Sequence, residues 1–184
     1  MIGNAAIEEW IGQWGYLAVF VPLMLETAGI PFPGETILLL AAAAAAHGTL
    51  DPVAVAAVAT VAVIVGDNIG YCVGRYGGRR LVDRLSHIGR VEAGVAWGER
   101  FFALHGGKAV FLARWTAGLR IFGAWIAGMS HMEWRRFFLW NALGGITWAC
   151  TITALGYAFG NSIERVESYL GRAGAIAFAA VVIV

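Results

Sequence analysis

Charge is what this sequence has least of. Only 14% of its 184 residues are Asp, Glu, Lys or Arg, where a soluble domain carries roughly a quarter. No Lys or Arg precedes Arg75, although six acids do: Glu8, Glu9, Glu26, Glu35, Asp51 and Asp67. Cysteine is rarer still, with two residues. Cys72 and Cys150 both fall in apolar runs, which excludes a disulfide framework and leads us to expect buried, inert thiols. Catalytic signatures are missing too: no G-x-S-x-G, no H-E-x-x-H, no P-loop and no Cys/His cluster. His47, His87, His105 and His131 lie at element boundaries without metal spacing. An enzyme would have no nucleophile, so we expect no enzymatic activity, no cofactor, no metal and no nucleic-acid partner. The first thirteen residues are acidic and lack the basic region of a cleavable signal peptide.

Apolar residues fill the space. They make up 59% of the chain, with a mean hydropathy of +0.70. Those values point to an all-α integral membrane protein whose length suits one domain. Seven of the thirteen cations crowd into residues 75–108, and the positive-inside rule places that segment in the cytoplasm.

Along the chain, residues 1–13 alternate Ile2, Ile7, Trp10 and Ile11 with polar side chains, an amphipathic segment suited to the interface. Residues 15–47 form two apolar limbs around Pro31-Phe32-Pro33-Gly34. At 1.5 Å per residue the limbs are about 24 and 16 Å long, too short for a core of about 30 Å. A re-entrant hairpin fits better than two spans. Asp51-Pro52 is a helix start, and residues 52–74 are the first clear span, with Gly66, Gly70 and Gly74 forming a packing face. Residues 75–108 read as a cytoplasmic amphipathic segment. Residues 109–130 form a second broken apolar segment, interrupted at Thr116-Ala117-Gly118, and residues 137–160 the second clear span. The apolar run at 173–184 reads as the start of a last span. Hairpin, link and long helix thus occur twice, and counting crossings sets the hairpins in opposite orientations. That is an inverted repeat, the plan of many secondary transporters.

Four charges sit in the broken segments and divide by sign. Glu26 and Glu35 flank the first break, Arg114 and Arg120 the second. Charge at membrane depth is expensive and usually faces a protein interior or a wet cavity. Six residues on an unbroken helix would point the two arginines about 120° apart, but a break at Gly118 lets them converge. Two converging guanidinium forks suit a phosphate. They also suit structural ion pairs with Glu26 and Glu35. The acids could exchange protons, since burial and nearby arginines pull their titration in opposite directions. Glu35 could equally serve the macrodipole of the helix it begins. Asp67, mid-helix beside Gly66, reads as a proton-coupling or site-lining group, or as an interhelical hydrogen bond. Asn141 reads as interhelical glue.

The chain resembles the DedA family of bacterial membrane proteins, relatives of the eukaryotic VTT-domain (SNARE-associated Golgi) proteins. The likeness rests on Glu26-Thr27-Ala28-Gly29-Ile30-Pro31-Phe32-Pro33-Gly34-Glu35, on Gly66-Asp67 with Gly70-Tyr71 and Gly74-Arg75, and on Phe111-Leu112-Ala113-Arg114-Trp115. Arg120, Ala127-Gly128-Met129, Phe137, Asn141 and Trp148 complete it. The chain departs from the family at Ala117-Gly118, where members commonly carry Pro-Gly. The resemblance implies two facing hairpins and a flippase or scramblase for undecaprenyl phosphate or phospholipid, driven by protons, in the bacterial cytoplasmic membrane. It places the functional acids at Glu26 and Glu35 and the functional arginines at Arg114 and Arg120. The expectation is therefore a multi-pass lipid transporter: Arg114 and Arg120 hold the lipid phosphate headgroup, and Glu26, Glu35 and Asp67 couple protons. A homo-oligomer is compatible with the sequence. Two other readings stay open, a proton-coupled small-ion transporter and a non-transporting membrane scaffold.

Overall fold

A computed structural model of the chain describes residues 4–77, 100–102, 104–116 and 119–160, with the backbone alone at 4–13 and 121. Most of the expected cytoplasmic segment (78–99) and the last apolar run lie outside the described residues. Among the described residues every regular element is helical and no strand occurs.

α1 (Asn4–Thr27) runs unbroken across residues 13–15, where composition turns from amphipathic to apolar. A change of composition need not interrupt a backbone hydrogen-bond ladder, so α1 has 24 residues and is about 36 Å long, not the limb of about 24 Å expected. The chain leaves α1 through Gly29, whose φ of +102° is open to glycine at little cost. Pro31 biases the residue before it toward extended backbone, and Pro33, at φ −81° and ψ 51°, turns the chain so that the Gly34 N–H donates to the Phe32 carbonyl at 2.9 Å. α2 (Gly34–Ala46) follows. α3 (Pro52–Cys72) begins where Asp51 Oδ1 accepts the Ala54 N–H at 2.7 Å, an N-cap, and it runs on as a π-helical turn over Val73–Gly77. α4 (Gly107–Arg114), α5 (Leu119–Met129) and α6 (Trp134–Phe159) complete the order.

Length sorts these helices. Pro52–Gly77 and Trp134–Phe159 have 26 residues each, about 39 Å and enough to cross a bilayer. α2, α4 and α5, with 13, 8 and 11 residues, reach only about 20, 12 and 16 Å and cannot.

Solvent exposure on the two long helices is inverted relative to a soluble protein. Val61, Val65 and Ile69 of α3 face outward, as do Leu139, Leu143 and Ile146 of α6, while Asp67, Asn141 and Thr153 are buried. An apolar stripe at helical spacing on the outside, with polar groups inside, is what lipid selects. The cysteines follow the same rule. Cys72 and Cys150 are free and exposed, not buried as expected, because an outward face in lipid accepts an apolar thiol as readily as a core does.

The chain divides into two compact units. The first takes the described parts of Met1–Glu26, Pro31–Ala62 and Ala149–Val184. Here Gly34 lets α2 start against α1: a Cβ there would lie 2.6 Å from Leu23 Cα and 2.7 Å from Glu26 Oε2. Gly156 does the same for α6 beside α2, with Ala42 Cβ at 2.7 Å from an added Cβ.

The second unit takes Thr27–Ile30 and the described parts of Val63–Trp148. Its core gathers Tyr71, Phe102, Ala109, Val110, Ala124, Ile126, Ala127 and Phe137, with the rings of Tyr71 and Phe137 stacked at 4.6 Å. Trp125 of α5 fills a notch beside Gly29, Gly70 and Gly74 and donates its indole N–H to the Ala28 carbonyl at 2.9 Å. That bond satisfies a carbonyl that the end of α1 leaves open.

Candidate polar site in the second unit

Asp67, Arg114, Arg120 and Asn141 come together in the second unit. Asp67 arrives on α3, one residue after Gly66, and is 1% exposed. Arg114 is the last residue of α4 and is 5% exposed. Arg120 stands in the first turn of α5. Asn141, on α6, is 1% exposed.

Arg114 is the centre. Its Nη2 forms an ion pair with Asp67 Oδ2 and donates to Asn141 Oδ1 at 2.8 Å. Its Nε and Nη1, both buried, have no hydrogen-bond partner among the described residues, and neither does Asn141 Nδ2. Arg120 places its guanidinium 5.1 Å from the centroid of the Trp148 ring, a cation–π contact that holds a charge in an apolar setting. Asp67, Arg114, Arg120 and Asn141 line one cleft of about 10 Å³, walled by Val110, Ala113, Gly123, Ala124 and Phe137. That is room for about one water.

A carboxylate, two guanidiniums and an amide line the cleft, and beside the Asp67–Arg114 ion pair three buried N–H positions, Arg114 Nε and Nη1 and Asn141 Nδ2, have no hydrogen-bond partner among the described residues. Buried donors without partners cost roughly 1–3 kcal/mol each. An anion with several acceptor oxygens would satisfy them together. No group of His, Cys, Asp and Glu able to hold a metal occurs among the described residues.

Glu26 and Glu35 belong to the first unit. Glu26, 8% exposed, accepts the backbone N–H of Glu35 on its Oε2 at 2.8 Å. A carboxylate thus caps α2 from the preceding helix, at the positive end of the α2 macrodipole. Glu35 lies in the first turn of α2 and is half-buried. Glu35 stands where an acid suits the macrodipole, and the sequence did not show that Glu26 would accept its backbone N–H.

Sequence reasoning missed two partnerships. Arg114 pairs with Asp67, whereas the reading weighed only Glu26 and Glu35 as partners. Asn141 does bridge helices, and it does so by accepting from that same arginine. The available signal was polarity: Asp67 and Asn141 interrupt the two helices that are long and apolar enough to cross a membrane. No spacing rule names the arginine they share.

A family model described as VTT domain matches residues 32–158. An uncharacterized membrane protein of Synechocystis is 36% identical over 179 residues, covering 96% of this chain and 82% of its own length. An uncharacterized membrane protein of Mycobacterium tuberculosis is 41% identical over 157 residues, 82% of this chain and 71% of the relative. Protein DedA of Escherichia coli is 34% identical over 171 residues, 86% of this chain and 74% of the relative. No solved structure matches the chain significantly.

Proposed function

This chain belongs to the VTT domain family, together with the DedA proteins, and from that premise we propose that it carries a phosphate-bearing lipid across the bilayer. Undecaprenyl phosphate and phospholipids are the candidate cargoes. The protein would act in the bacterial cytoplasmic membrane as a multi-pass flippase or scramblase, with its short helices as re-entrant hairpins in an inverted repeat. The acyl or prenyl tails would stay in lipid, and only the headgroup would need a polar path.

One observation carries the reading: Arg114 is buried in a lipid-facing helical protein with two donor nitrogens unmatched, in a cleft it shares with Arg120. A phosphate supplies acceptor oxygens and negative charge together, and a guanidinium fork meets it in a bidentate fashion. Arg114 and Arg120 hold the phosphate, and Asn141 Nδ2 adds a neutral donor. Glu26, Glu35 and Asp67 take up and release the protons that drive transport.

A scaffold reading draws on the same Asp67–Arg114 pair, since an ion pair can serve only to hold helices. Transport separates the two. In proteoliposomes loaded with a fluorescent polyprenyl phosphate or a labelled phospholipid, the wild-type protein moves label between leaflets faster than protein-free vesicles. Arg114→Ala returns the rate to the protein-free value. Equal rates for wild type and Arg114→Ala would defeat the reading.

A further inference from the structure

Asp67 already occupies the guanidinium that an incoming phosphate would need. Its Oδ2 is paired with Arg114 Nη2, and the cleft leaves room for about one water. A phosphate group is several times larger, so it cannot enter while the pair stays closed. The charged groups lining the cleft around Asp67 are Arg114 from α4 and Arg120 from α5, and α6 contributes the neutral Asn141. Two anions and two cations in so small a space would leave the carboxylate and the phosphate in repulsion.

We infer that Asp67 is a built-in competitor for the anion site, and that a phosphate ligand takes Arg114 only as Asp67 takes up a proton. This rests on the phosphate reading above. Among the three proton-coupling acids it assigns Asp67 one task, that of an exchangeable internal anion whose proton is coupled to ligand binding. The exchange balances. Neutral Asp67 gives up its ionic hold on Nη2, the ligand supplies the replacement negative charge, and the cleft keeps the same net charge before and after. Deprotonation of Asp67 restores the pair and expels the ligand. Asn141 Oδ1, already on Nη2 at 2.8 Å, keeps the guanidinium oriented while the partners change. Binding and proton uptake are then linked reciprocally.

The test uses the full-length protein in detergent and a short-chain dialkyl phosphate diester. The diester stays a monoanion between pH 5 and 8, so any pH dependence belongs to the protein. Inorganic phosphate in a parallel titration separates a headgroup site from a site for the free ion, because a lipid site prefers the diester. Wild-type affinity for the diester should rise as pH falls, by as much as about tenfold per unit for one linked proton. Calorimetry in two buffers of different ionisation enthalpy should register uptake of one proton per diester bound. Asp67→Asn should bind more tightly at pH 7.5 and lose the pH dependence. If that variant does not fold, the wild-type slope and proton count still decide.

Diester binding that needs Arg114 yet is flat with pH and takes up no proton overturns the competitor role and leaves the phosphate site standing. Weaker binding by a folded Asp67→Asn overturns it as well. Absence of any binding that Arg114→Ala abolishes overturns both the role and the phosphate reading.

Discussion

The close contact between the end of α3, with its π-helical turn, and α5 depends on two glycines. A Cβ at Gly74 would overlap the Trp125 carbonyl oxygen and sit 2.9 Å from Trp125 Cα; a Cβ at Gly128 would overlap the Tyr71 carbonyl oxygen and sit 2.7 Å from Arg75 N. The obstacles are backbone atoms on both helices, so no side-chain rotation relieves them and the helices must part. Overpacking of this kind costs about 1–3 kcal/mol, with backbone obstacles at the upper end. Replacing glycine by alanine within a helix returns up to about 1 kcal/mol. A net loss of about 1–2 kcal/mol remains for Gly74→Ala or Gly128→Ala, a fall in Tm of roughly 2–8 °C for a chain of this size. Gly144 is the internal control. Its added Cβ would meet Arg114 Cδ and the Phe111 backbone at 3.5 Å, ordinary contact, so Gly144→Ala should leave Tm unchanged or raise it slightly. Thermal unfolding of the three variants in one detergent, followed by tryptophan fluorescence, measures the series. If Gly74→Ala and Gly128→Ala unfold with Gly144→Ala, the close approach of α3 and α5 is wrong.

Two further variants probe the bonds that join the broken segments. Glu26→Ala removes the acceptor of the Glu35 N–H and should cost about 0.5–2 kcal/mol, as loss of a helix cap does. Glu26→Gln keeps an acceptor and should retain most of that stability, and equal Tm losses for the two would refute the cap. Trp125→Phe keeps the ring in its glycine notch but strands the Ala28 carbonyl, a loss of about 1–3 kcal/mol. Chemical denaturation would show it as a lower midpoint with an unchanged slope, and a wild-type midpoint would refute the bond.

Helical character and the two long apolar helices were legible in the sequence because both are local properties. Apolar runs of sufficient length must be helical in lipid to satisfy their own backbone. The Asp51 cap was legible for the same reason, since Asp-Pro at a helix start needs only three residues to act. The candidate site was legible in part. Helix arithmetic set Arg114 and Arg120 about 120° apart, a break expected at Gly118 let them converge, and they do line one cleft.

The partner of Arg114 was not legible, because Asp67 lies 47 positions away on another helix and only packing brings them together (114 − 67 = 47). Reasoning by sign alone favoured the glutamates as partners, since they lie in a broken segment like the arginines. The Glu26 cap on α2 was not legible for a related reason. A helix is usually capped from its own first residues, but here Gly34 clears space for a carboxylate from the helix before it. The orientation of the thiols turned on the solvent. Apolar residues face inward in water and can face either way in lipid, so hydrophobicity alone does not place Cys72 or Cys150.

The account rests on a phosphate entering the cleft beside Arg114, and photo-crosslinking tests that most directly. A lipid phosphate bearing a diazirine next to its phosphorus, reconstituted with the protein and irradiated, should label peptides carrying Val110 and Phe137, which wall the cleft. Arg114→Ala should remove that labelling and leave background attachment to the lipid-facing Leu139, Leu143 and Ile146. Labelling of the cleft peptides that persists in Arg114→Ala, or labelling confined to the lipid-facing residues in the wild-type protein, would contradict the account.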